Sequence, residues 1–189
     1  MILLLFPIIN IQMELNASEL TPCDVPWWRD ATEKDVVEQI DNPDFECDGL
    51  KGGRIIHAAL EDIYINPKTL DAFLDMQPDL STRTKYGDTA VHMAVYLHYR
   101  NIHILRSLLE MGADANITNV NWQTPLHLAV GVGFNNIKII KLLLEFNAWL
   151  GPEDLYGNTP ESLAIKPNVK LFFNFARFKE WFYYNYQVR

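Results

Sequence analysis

His57, His92 and His127 are the side chains whose type and spacing most invite chemistry, because imidazoles hold metal ions and move protons. They stand 35 residues apart, each in the same short phrase: Arg-Ile-Ile-His-Ala-Ala at 54–59, Thr-Ala-Val-His-Met-Ala at 89–94 and Thr-Pro-Leu-His-Leu-Ala at 124–129. Equivalent positions of successive packed units lie about 10 Å apart, since packed helices sit 8–10 Å from one another. Ligands of one zinc ion must each come within about 2.0–2.1 Å of it. The spacing therefore predicts structural imidazoles, hydrogen-bonded to turn backbone, and no metal site. His98 and His103 flank a linker and are expected at the surface. Cys23 and Cys47 lie outside the phrases. Two cysteines are too few for a disulfide framework, and free thiols in a reducing compartment are expected. The carboxylates are scattered, and no P-loop, dinucleotide glycine motif, nucleophile elbow or Cys/His metal spacing occurs. The expectation is a protein with no enzymatic activity, no catalytic residue and no cofactor.

The elements that position these histidines repeat with them. Ala59, Ala94, Ala129 and Ala164 keep the step of 35, as do Gly52, Gly87, Trp122 and Gly157. A fixed period of this size marks a stacked-repeat protein. Each unit reads as a turn with glycine at a positive-φ position, then a short helix opened by Thr and Pro, then a linker and a second helix. The second helices are 70–74, 105–109 and 140–144, whose paired apolar residues form a stripe for neighbours. Gly112 closes one of them and Asn147 the next.

The predicted organisation is an N-terminal arm and capping helix over 1–48, repeats over 49–83, 84–118 and 119–153, and a degenerate unit with an aromatic C-terminal helix over 154–189. Residues 1–11 are apolar but too short to span a bilayer, and lack the basic region and cleavage site of a signal peptide. They read as a strand, a packing arm, or translation upstream of a start at Met13, with a signal peptide as the lesser alternative. Trp27 and Trp28 either anchor irregular chain to the end of the array or form an exposed aromatic site. A capped helix follows from Asp30 or Thr32, with Val36, Val37 and Ile40 on one face. From Val169 to Tyr186 aromatics dominate, reading as a helix that seals the stack or as one that binds a groove or membrane surface. The sequons at Asn16 and Asn116 matter only in a secreted protein.

Hydrophobic residues make up 49% of the chain, enough for a continuous core. The net charge of -8 divides into -10 over residues 1–83 and +2 over 84–189. An acidic front half disfavours nucleic acid, whose phosphates need Lys and Arg, and suits a basic protein segment.

Thr-Pro-Leu-His-x-Ala, the second-helix leucine pair and Gly-Ala-Asp-x-Asn at 112–116 together resemble the ankyrin repeat. The resemblance covers residues 49–165 and implies an all-α solenoid of helix-turn-helix units joined by β-hairpin-like loops, with capping helices at both ends. The usual ankyrin period is 33, so two extra residues are expected per unit, around 63–67, 98–102 and 133–137. It also implies protein binding on hairpin tips and on the inner face of each first helix. Carried onto this chain, those positions are Glu61, Asp62, Lys85, Tyr86, Asp88, Tyr96, Asn121, Trp122, Gln123, Leu155, Tyr156 and Asn158, with the aromatics as anchors.

The order of the units is similar to early repeats of the inhibitor-of-NF-κB (IκB) family, in which the second of these units likewise lacks its turn glycine. That similarity implies binding to a Rel-type factor, masking its basic localisation segment and blocking its DNA contact. The chain is expected to be a monomer, cytoplasmic with access to the nucleus, that touches neither nucleic acid nor membrane. The chain has no paired-serine degradation signal and no acidic C-terminal tail. A short form of this kind resembles the IκB mimics of some insect-associated viruses, which act in a host cell. An adaptor or scaffold for an unrelated partner, such as a ubiquitin-ligase or cytoskeletal component, is the competing reading.

Overall fold

The computed structural model describes residues 21–41, 47, 54–98, 100–131, 136–174 and 177. The apolar residues 1–11, the sequon at Asn16, the turn at Gly52 and most of the aromatic segment after Asn174 lie outside the described residues. Helices run in pairs: α1 Val25–Asp30 and α2 Glu33–Gln39, α3 Ile55–Glu61 and α4 Pro67–Leu74, α5 Ala90–Leu97 and α6 Ile102–Glu110, α7 Pro125–Gly131 and α8 Ile137–Glu145. Residues 167–174 are also helical.

The pairs stack into two layers. In one, α1, α3, α5 and α7 pack in succession; in the other, α2, α4, α6 and α8 do the same. The small residues Ala59, Ala94 and Ala129 are buried in the first layer. Leu70, Phe73, Leu105, Leu108, Ile140 and Leu143 fill the second.

The second helices share a start signal that the periodic reading passes over. Asn66, Asn101 and Asn136 stand 35 residues apart, and each side-chain oxygen accepts the backbone N–H two residues on, at 3.0, 3.3 and 3.1 Å. An Asn N-cap satisfies one of the four donors that a helix start leaves orphaned. The same helices end in a left-handed residue at one repeat position: Gln77 at φ 57°, Gly112 at φ 91° and Asn147 at φ 58°. Beyond Gly112 and Asn147, Ala113 N–H and Ala148 N–H return to Leu108 O and Leu143 O, closing the last turn.

At the front of the stack, Trp28 is fully buried, edge-on to Phe73 at 5.4 Å and to Trp27 at 4.9 Å. Its indole N–H donates to Pro22 O, and that of Trp27 to Gln39. The tryptophans are core of the leading unit, not an exposed site. Thr32 and Asp35 cap α2 reciprocally, and Thr69 in α4 donates to Ala31 O. Cys23 and Cys47 form a disulfide with their Cα atoms 5.2 Å apart. This corrects the expectation of free thiols: although few and distant in sequence, the two cysteines flank α1 and α2, and folding of that helix pair brings its ends together.

At the rear, Pro160–Leu163 form turns where earlier units have a first helix, and Ile165 is exposed. Ala164, Val169 and Phe173 are buried, so the helix at 167–174 still packs on the array.

Candidate protein-binding surface

The repeated histidines build the surface without belonging to it. Thr89 N–H donates to His92 Nδ1 at 3.2 Å, and Thr124 N–H to His127 Nδ1 at 3.1 Å; Arg54 N–H does the same for His57 at 2.9 Å. A ring nitrogen that accepts leaves its partner nitrogen protonated. Nε2–H of His92 therefore donates to Gln123 O at 3.0 Å, and that of His127 to Asn158 O at 3.1 Å. Each imidazole thus ties the start of one helix to the hairpin of the next unit. His57 Nε2 lies toward the backbone of Thr82 and Asp88 but closes no hydrogen bond. Burial holds all three below the ordinary histidine range, His57 at about 4. In the fourth unit Ser162 takes the histidine's place, and its side chain turns back to Thr159 O.

His98 is corrected from surface to core. It is buried, and its Nε2 meets Leu60 O at 2.8 Å, tying the end of α5 to α3. The equivalent positions one step away are Ile63 and Gly133, so the period gave no sign of this role. His103 is exposed.

The hairpins held by these rings form a row. Within each, one N–H closes the turn: Gly87 to Thr84 O, Trp122 to Asn119 O and Gly157 to Asp154 O. Between them, Val120 N–H donates to Tyr86 O at 3.0 Å and Leu155 N–H to Asn121 O at 3.1 Å. Asn119 adds a side-chain bond to Asp88. Asp154 accepts from the N–H groups of Tyr156 and Asn158, which hold its carboxyl low although burial opposes them.

Twelve positions were expected at this surface, and they divide by exposure. Lys85, Tyr86, Asn121, Trp122, Leu155 and Tyr156 are exposed along the row, with Val120 beside them. Asp88, Gln123 and Asn158 are half-buried at the base of the tips, and Glu61 and Tyr96 are half-buried at the ends of α3 and α5. Burial first, then the charges of Asp88 and Glu61, raise the Tyr96 hydroxyl to about 12. Asp62 is not on the surface at all. It is 1% exposed, ion-paired with Arg29 at 3.4 Å and accepting Tyr64 N–H at 2.9 Å. The leading helix pair covers it, a contact no repeat alignment contains.

Two positions carry backbone information. Gly87 has φ 74°, and a Cβ there would meet Val120 N at 2.8 Å, so the following hairpin admits no side chain in that direction. Trp122 occupies the equivalent place one unit on, at φ 59°, and is 60% exposed. A bulky residue in the left-handed region costs roughly 1–2 kcal/mol per residue. The fold regains little of that from an indole lying mostly in water.

Stacked helix pairs with such a hairpin row define a class of helical solenoid built from repeats. Residues 96–144 match the family model described as ankyrin repeats (many copies). That stretch carries ankyrin repeats, a protein-interaction module, and the same step of 35 continues on either side of it. Among curated proteins no relative matches the chain. Among the described residues no helix is long and apolar enough to cross a membrane, and no three His, Cys, Asp or Glu side chains are grouped to hold a metal ion. The carboxamide of Asn116 is engaged with Asn147 O and Trp149 N–H, so a glycan there would break a bond between units.

Proposed function

We propose that the protein is a monomeric inhibitor that sequesters a Rel/NF-κB transcription factor, acting in the cytoplasm with access to the nucleus, and that it does so without a degradation signal. The observation that carries the reading is the row of exposed tips, Tyr86, Val120, Trp122, Leu155 and Tyr156, with Trp122 60% exposed on a left-handed backbone. Contiguous exposed apolar surface marks interaction sites, and Tyr and Trp dominate their energetics. Two features of the chain favour a Rel factor among protein partners. The unit phrases follow the order seen in IκB proteins, and the acidic front half suits a basic localisation segment. The ion pair of Asp62 with Arg29 narrows that acidic face to groups such as Glu61, Asp88 and the outer carboxylates of α2.

The test is co-precipitation of the chain with Rel homology domains together with a Rel-dependent reporter. Stoichiometric binding and repression that persists after stimulation are expected. Absence of both sinks the inhibitor. Capture of a different partner on the same row would leave the interaction module and assign it to an adaptor.

A further inference from the structure

We propose that the hairpin row is a ladder for a proline-rich segment in the polyproline II conformation, with an apolar residue at every third position and opposite charges at its two ends. The inference rests on the row being the binding face, and not on which protein supplies the segment. Trp122 is the starting point. Its left-handed backbone at φ 59° is strained for tryptophan, and its side chain is 60% exposed. Strain kept where the fold does not use the side chain points to a contact outside the chain.

The spacing selects the ligand's period. Successive hairpins are locked one to the next through Tyr86 O and Asn121 O. Each contributes two chain widths of about 4.8 Å, so tips recur about every 9.6 Å. A polyproline II helix advances about 9.3 Å per turn of three residues. Every third side chain therefore meets a tip: Tyr86, then Trp122 one place further on, then Tyr156. A β-strand repeats on one face about every 6.6 Å and falls out of register.

The donors select the conformation. Polyproline II has no internal hydrogen bonds, so its carbonyls seek partners. The middle tip offers the exposed Asn121 amide and the Trp122 indole N–H. An α-helix could match the step with every seventh residue, but its carbonyls are already bonded along its own axis. Charge then orients the segment. Arg83 and Lys85 are exposed beside the first tip, Lys85 lying over the Tyr86 ring, and they outnumber the half-buried Asp88, which is already bonded to Asn119. Glu153 is exposed before the last tip, while residues 119–124 carry no charge. The complement is a segment acidic at one end, uncharged in the middle and basic at the other.

The probe is a peptide of about twelve residues built from Pro-Pro-Leu triplets, with Glu at one end and Lys at the other. It is titrated against the full chain by fluorescence anisotropy, in both end-to-end orders of charge. Saturable binding on the order of tens of micromolar is expected for at least one order, weakened about tenfold by Trp122→Gly and about tenfold by shuffling away the period of three. The melting temperature of Trp122→Gly should equal or exceed that of the parent, which separates lost contact from lost fold. The proposal is overturned if the shuffled peptide binds as well, if a charged helical heptad peptide binds better, or if Trp122→Gly keeps full affinity. A Rel factor that fails to bind while the peptide binds removes the partner, and the reverse removes the ladder.

Discussion

At the scale of single residues, the imidazoles set a pH limit on the array. Burial lowers the folded-state pKa of His57, His92, His98 and His127 below the ordinary value of about 6.5. The unfolded chain then takes up protons that the folded chain refuses, so stability rises with pH across that interval. The contribution is complete above pH 6.5 and is lost as pH falls toward the folded values, about 4 for His57. His57 alone should cost roughly 2 kcal/mol between pH 7.5 and pH 5. Urea titrations at the two pH values check this, and His57→Asn should flatten the difference. A stability that does not change between them would contradict neutral, buried rings. The bonds of Nδ1 to the turn backbone were legible in sequence, because the common step put each ring at one position of a repeated phrase. The bonds of Nε2 to the next hairpin were not, since they depend on how successive units abut.

At the scale of elements, the leading helix pair is held in three ways. Trp28 fills the space against Phe73, Arg29 meets the buried Asp62, and the Cys23–Cys47 bond closes a loop with a sequence separation of 24. Closing a loop of that size stabilises by about 3.5 kcal/mol. Reducing compartments keep thiols open, so in the cytoplasm the pair would rest on packing and the ion pair. Reduction, or Cys23→Ser, is expected to speed amide exchange over residues 25–39 and leave 102–110 unchanged. Uniform loss of protection across the chain would show instead that the cap and the array unfold together. Asp62 shows why such contacts escape a reading from repeats. Periodicity describes what units share, whereas the leading pair packs on the first of them. The Asn caps at 66, 101 and 136 keep the same period, but they sit outside the apolar phrases that define it. The cysteines were unreadable for the opposite reason, having no period.

At the scale of the whole molecule, the uneven charge should act on association more than on the bound state. A front half of -10 attracts a basic segment over about a Debye length, and salt screens that attraction. With a Rel partner, the association rate should fall several-fold between about 50 and 500 mM salt while dissociation changes little. A rate indifferent to salt would remove the electrostatic part of the proposal. The stacking of helix pairs followed directly from the step of 35. Which tips face outward with strained backbone did not, because Trp122 at a glycine position says nothing of φ until the hairpin is built.

The disulfide also governs how the chain carries tension. Because it joins the two flanks of α1 and α2, a pull between the chain's ends passes from Cys23 to Cys47 through sulfur and bypasses both helices. The enclosed residues, with their separation of 24, would lengthen the extended chain by about 80 Å if freed. Under oxidising conditions that length stays hidden from a mechanical load, and force entering from the N-terminal side reaches α3 without loading α1 or α2.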